Sequence, residues 1–396
     1  MQNSNSKIVL IVACAIFCAL GVLTAVNGPL LAEFASLNHT SLAEIGVLFS
    51  ALFAGALVSQ LFSGPLSDRI GQKPVLLVGI VLMVVGVTGY SFTRVYLLTL
   101  LFALLAGFGH GAVDLGGNVM IARVFKGRSV SALNLLNLFF GLGAFAGPAM
   151  VSLSLKLWQT GLPAIWVGAA VLALPGLWLL RINLADDAAD ASKPTVKGTS
   201  VYRSPLLWLF ATVLLLYVGT ENGIGGWATI YFEQSAAMLT ARAALVTSGF
   251  WLALTAGRLV SAALGARLAP AAVLLASLAE AAAGAVLLAV SHGQAALSVV
   301  AVMMIGFGFG AVYPTMIAIT TETFSHGPGK AASVVAAMGS VGGLLIPWLQ
   351  GVVIEKTNTQ VYTIFVGLLV IVMLGISLSV YRRADNRVQV AAPQKP

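Results

Sequence analysis

The chain has 396 residues, 59% of them hydrophobic and 9% charged, with a formal net charge of +8. Soluble globular domains carry about 25% charged residues, so this composition excludes a soluble domain and points to a chain that crosses a bilayer many times. Cys14 and Cys18 are its only cysteines, which excludes a disulfide framework and gives no basis for thiol redox or zinc chemistry.

About 20 apolar residues span a hydrocarbon core. Runs of that length fall at roughly 8–34, 42–65, 73–92, 95–123, 130–153, 162–181, 204–233, 241–265, 270–291, 294–322, 330–353 and 358–382. Lys7 ahead of the first run has the look of a signal peptide, but the run is long and many follow it, so it reads as an uncleaved first helix. Between the second and third runs lies a charged hairpin, Gly64 to Pro74, with Asp68, Arg69 and Lys73 in the turn. Gly and Pro at its edges are expected to end one helix and restart the next. Such charges avoid hydrocarbon, so the hairpin belongs at a membrane face.

The longest polar connection, Arg181 to Arg203, divides the chain near its middle. The domain reading is therefore a six-helix bundle over 1–181, a linker over 182–203, a second bundle over 204–383 and a disordered tail over 384–396. Seventeen of the 21 Lys and Arg residues fall on the side of the N-terminus, Arg258 counted among them. That bias puts both termini in the cytoplasm, in a bacterial inner membrane. It also explains the basic charge as membrane orientation rather than nucleic-acid binding.

The two halves repeat. Gly107-Phe-Gly-His-Gly-Ala112 in helix four matches Gly306-Phe-Gly-Phe-Gly-Ala311 in helix ten, and Asn27-Gly28 in helix one matches Asn222-Gly223 in helix seven. The expected fold is thus an all-α membrane protein with twelve transmembrane helices in two pseudo-symmetric six-helix bundles. A site between related halves is the layout of a secondary transporter.

Ionisable groups inside a span are costly and mark function. Asp114, Glu221 and Glu280 are the mid-span carboxylates. Asp114 lies about 13 Å along its helix from Arg123, near the midplane. His110, Asp114 and Asn118 recur every four residues and form one polar stripe, suited to sharing a titrating proton. Glu221, Asn222 and Trp227 sit among glycines in helix seven, which suggests a locally broken, solute-facing helix. Pro314, beside Tyr313, is expected to kink helix ten. With Asn27, Asn134, Asn137, Gln60, Trp251 and Thr255 these groups suit a hydroxyl-rich or small polar solute, since amides and carboxylates bond hydroxyls while aromatic faces pack on C–H surfaces. Glu280, on an Ala-rich helix nine, is read as a cap or a hydroxyl partner. There is no nucleophile elbow, metal cluster or phosphate loop, so an enzyme or a sensor is not expected, nor any cofactor beyond a coupling ion, H+ or Na+.

The pattern G-x-L-x-D-R-x-G-x-K over 64–73 resembles the signature loop between helices two and three of the major facilitator superfamily. That resemblance implies a conformational latch made of Gly64, Asp68, Arg69, Gly71 and Lys73, with Asp68 facing the N-terminus of helix eleven. Asp114-Leu-Gly-Gly-Asn118, Asn134 to Ala144 and Glu221 to Trp227 further resemble the fucose–galactose–glucose/proton symporter branch. The branch implies alternating-access symport of a monosaccharide with a proton carried by Asp114, aided by His110 and Glu221, in a protein acting as a monomer in the lipid bilayer. Its other membrane acid, on helix one, has no counterpart here; Asn27 stands near that depth. The alternative is proton-coupled efflux of a drug or metabolite. Its helix-four Arg would fall at Ala103, and the Gly-Pro-x-x-Gly-Gly ending of helix five is absent after Gly147-Pro148.

Overall fold

A computed structural model describes residues 2–125, 129–182, 201–265, 267–291, 293–324 and 327–391, without the side chains of 2–5, 68, 129, 130 and 382–391. Most of the expected linker, and with it the boundary between bundles, lies outside these residues. Within them the chain is helical throughout, because backbone N–H and C=O groups in hydrocarbon must be satisfied within the segment.

The first half holds α1 (Gln2–Ala25), α2 (Asn27–Asn38), α3 (Leu42–Ile70), α4 (Gln72–Phe92), α5 (Tyr96–Val124), α6 (Ser129–Trp158) and α7 (Pro163–Arg181). The second holds α8 (Pro205–Ala236), α9 (Thr240–Gly265), α10 (Pro270–Val290), α11 (Ala295–Phe309), α12 (Val312–Thr323), α13 (Pro328–Lys356) and α14 (Thr359–Ala391). Twelve spans are long and apolar enough to cross a membrane. The helix pairs α1–α2 and α11–α12 make up the first and tenth of them. Helix α14 runs on to Ala391, beyond the boundary expected at 383.

Both interrupted spans break just ahead of a proline. Val26 and Ala311 precede the starts of α2 and α12, and Pro29 and Pro314 follow three residues later. A proline supplies no N–H to the carbonyl four residues earlier and its ring crowds that turn. Helix ten is thus interrupted beside Pro314, where a kink is expected, and helix one is interrupted in the same way, with the backbone at both points still in the right-handed helical region. The break expected in helix seven is not there: α8 is continuous for 32 residues. Its glycines serve close packing instead. A Cβ on Gly223 would meet Gln350 Oε1 at 2.3 Å, and one on Gly225 would meet the Trp251 ring at 2.5 Å.

The charged hairpin also differs from expectation. Pro65 lies inside α3, which continues to Ile70. Only Gly71 interrupts the chain, at φ 88°, a left-handed conformation that glycine adopts without a Cβ penalty. Lys73 Nζ donates to the carbonyls of Leu180 and Ile182, 2.9 Å each. It thereby caps the C-terminus of α7 within its own half. Arg69 is exposed and Gly64 has open space around it. The Asp68 side chain lies outside the description.

Cross-half packing follows the repeat. Helix α3 packs on α13, and α6 packs on α9. The second span thus meets the eleventh and the fifth meets the eighth, so the same pair of positions is used twice. Among the described residues, the cross-half hydrogen bonds gather away from the face that carries the termini. Ser50 Oγ donates to Leu344 O at 2.7 Å, and Ser248 Oγ to Phe145 O at 2.8 Å. Nearer the opposite face, the Glu355 carboxylate accepts from the Ala43 N–H in the first turn of α3. Backbones nearly touch there: a Cβ on Gly28 would lie 2.2 Å from Gly225 O. Toward the terminal face, by contrast, Gly64, Gly265 and Gly329 have nothing within 4 Å of an added Cβ. Among the described residues, the halves are joined at the face opposite the termini, and these three glycines stand clear toward the terminal face.

Candidate functional site

A cavity lies among α1–α5, with Asn222 of α8 as its lining residue from the second half. Its polar lining is Thr24, Asn27, Tyr90, His110 and Asn222. Tyr90 donates to Asn27 Oδ1 at 2.8 Å, while Asn27 Nδ2 donates to Leu23 O at 2.9 Å. The break after Ala25 lets Asn27 turn into this space. His110 Nε2 stands 3.3 Å from Thr24 Oγ1. One turn further along α5, Asn118 Nδ2 donates to Asp114 Oδ1 at 3.2 Å and to Asp114 O at 2.9 Å. The stripe His110, Asp114, Asn118 is thus one connected polar face.

Across the gap, Glu221 Oε1 lies 3.7 Å from Arg258 Nη2. The Tyr217 hydroxyl is buried beside both. Tyr313 is 38% exposed and stands within electrostatic reach of Asp114, Glu221 and Arg258. It is thus the residue that feels both Asp114 and the Glu221–Arg258 pair. Arg258 corrects the sequence reading, which counted it among the face cations. It sits on the inward side of α9, seven residues short of Gly265.

The remaining expected site residues divide by position. Asn222 lines the cavity and donates to Val218 O at 2.8 Å. Asn134 and Asn137 are exposed on α6. They share a face with Gly141, which packs on Thr255 across the halves. They therefore continue the inter-half face into the parted region. Trp251 is 4% exposed, and its indole N–H is buried without a partner. Trp227 is buried outside the cavity: its Nε1 donates to Pro347 O at 2.7 Å and its ring covers Gly46 and Gly351. It plugs the closed face. Glu280 is half-buried in the middle of α10, away from the cavity.

Thr24, Tyr90, Tyr217, Arg258 and Gln350 were not foreseen. Thr24 had a signal, since it stands three residues before Asn27 and so shares its helix face. Gln350 is fully buried against Gly223 with both amide atoms unpartnered. Neither its span nor its neighbours in sequence single it out.

Twelve spans, a two-fold repeat and polar groups held at mid-depth between the halves are the frame of one transporter class. The family model of the Major Facilitator Superfamily matches residues 11–326 and 235–396. The chain belongs to this superfamily. As a member it is a membrane transporter rather than an enzyme. It is 26% identical over 355 residues to the uncharacterized MFS-type transporter YfkL of Bacillus subtilis, covering 87% of this chain and 88% of that protein. It is 24% identical over 412 residues to a putative glucose/galactose transporter of Helicobacter pylori, covering 98% of this chain and 100% of the other. Among solved structures, the nucleoside transporter NupG superposes with TM-score 0.78 at 16% identity, over 95% of this chain and 99% of that one. The Escherichia coli fucose:proton symporter FucP gives 0.66 at 18%, over 93% and 97%.

Proposed function

We propose that this transporter imports a sugar or a similar hydroxyl-rich solute together with a proton, by alternating access. The observation that carries the reading is the meeting of two chemistries in one inter-half site. Thr24, Asn27, Asn222 and Tyr90 offer hydroxyl and amide groups to a polyol, and Asp114 with His110 offers a carboxylate–imidazole pair for a proton. A solute hydroxyl held between an amide donor and a carboxylate acceptor satisfies both lone pair and proton, and aromatic faces cover its C–H surface. Relatives named as a putative glucose/galactose transporter, a sodium-dependent glucose transporter and a fucose:proton symporter support a sugar as the solute.

Under the Lys and Arg bias the terminal face is cytoplasmic, so this conformation is open inward. Solute and proton enter from the outside when the Trp227 plug lifts, and leave through the parted face. The test is uptake into proteoliposomes from a panel of monosaccharides and nucleosides, under imposed proton or sodium gradients separately. Concentration of a sugar driven by the proton gradient is the expected result. Accumulation driven by sodium alone would reassign the coupling ion, and outward pumping of apolar drugs would overturn the reading.

A further inference from the structure

Among the described residues, the site holds two carboxylates and one guanidinium, and the guanidinium is paired with one of them. Arg258 faces Glu221 at 3.7 Å, with the Tyr217 hydroxyl beside the pair. The groups facing Asp114 are His110 and Asn118. Tyr313 lies between the two sets. With His110 neutral, the site carries one uncompensated negative charge, and it belongs to Asp114.

We infer that Arg258 is the internal counter-ion that fixes the coupling ratio at one cation per solute, by holding Glu221 charge-compensated and leaving Asp114 as the one acid that must be neutralised. The inference rests on the import reading above, and it names the regulation of that same site. An uncompensated charge resists passage through a low-dielectric closed state far more than a paired one does. The emptied and loaded carriers therefore differ by a single proton. That proton adds to the Asp114 carboxylate on the outside, giving the neutral acid, and leaves it on the inside; no bond in the solute is made or broken. Arg258 touches neither proton nor, by position, the cavity floor around Asn27. It acts through Glu221.

Three variants test this, each purified to a single dispersed species before reconstitution. Arg258→Lys keeps the charge and should keep one proton per solute, read as the proton-to-solute ratio in proteoliposomes. Arg258→Gln leaves two uncompensated acids and should lower concentrative uptake about 30-fold or more, as for loss of one member of a buried charge pair. Glu221→Gln/Arg258→Gln restores the original charge. It should accumulate solute better than Arg258→Gln alone, with weaker affinity and a ratio still of one. The melting temperature of the solubilised proteins should follow the same order. Recovery of melting without recovery of uptake still supports charge compensation within the pair. A double variant no better than Arg258→Gln in either measurement overturns the inference, as does Arg258→Gln with unaltered uptake. If the unaltered protein moves no sugar at all, the import reading fails, and the melting comparison still decides the role of Arg258.

Discussion

Tyr90 donates a hydrogen bond from its hydroxyl to Asn27 Oδ1 across 2.8 Å, joining α4 to the break between α1 and α2. Asn27 is only 2% exposed, so water does not replace that bond when it is lost. An unpartnered buried acceptor costs about 1–3 kcal/mol. Tyr90→Phe is therefore expected to raise the apparent KM for solute about tenfold, within the span of that cost, because the Asn27 amide is then held only through its bond to Leu23 O. Radiotracer uptake over a concentration series measures it. An unchanged KM would show that Asn27 is held by α1 alone.

Asp114→Asn mimics the protonated acid permanently. It should abolish accumulation against a gradient and preserve exchange of labelled for unlabelled solute, because exchange needs no proton release. Counterflow and gradient-driven uptake on the same protein separate these outcomes. Continued accumulation by the variant would move coupling to Glu221.

Glu355 holds the closed face by accepting from Ala43 in the first turn of α3. Capping a helix N-terminus with an acceptor is worth about 0.5–2 kcal/mol, and the helix dipole adds to a carboxylate there. Glu355→Ala should shift the carrier toward the state open at that face by about 2–30-fold, the population change equivalent to that cost. Labelling of a cysteine introduced at Ser50, which now bonds to Leu344 O, would rise in rate with the shift. Equal rates with and without the cap would show that packing alone closes this face.

Gly28→Ala tests the packing. The new methyl would meet the carbonyl of Gly225 at 2.2 Å, which neither backbone can yield without parting. Transport should cease while solute still binds from the opposite face, measured as retained solute-dependent stabilisation of the purified protein. Wild-type transport by this variant would mean the seam is looser than described.

Hydropathy and repeat spacing were enough to place the twelve spans, since bilayer thickness sets run length and the two halves share one pattern. The polar stripe on α5 was legible too, because a four-residue period fixes a helix face whatever surrounds it. Arg258 was not. It stands about 10 Å along the helix from Gly265, and distance along a span does not tell a cation in an aqueous gap from one at the rim. The α8 glycines were misread as flexibility for a similar reason. A glycine loosens a chain only when nothing lies against it, and the partners Gln350 and Trp251 are remote in sequence. Thr24 and Tyr90 gained their meaning from a fold that brings α1 and α4 around one space.

The seam at the closed face is made of glycine against backbone and aromatic rings: Gly28 on Gly225, the Phe49 ring on Gly226, and the Phe53 ring on Gly343. The polar groups offered to the solute lie elsewhere, on Thr24, Asn27, His110 and Asn222. Substitutions that alter what is recognised therefore need not disturb the surfaces that open and shut. A lineage built on this plan is free to exchange one cargo for another by a few changes in the lining, while inheriting its moving parts intact.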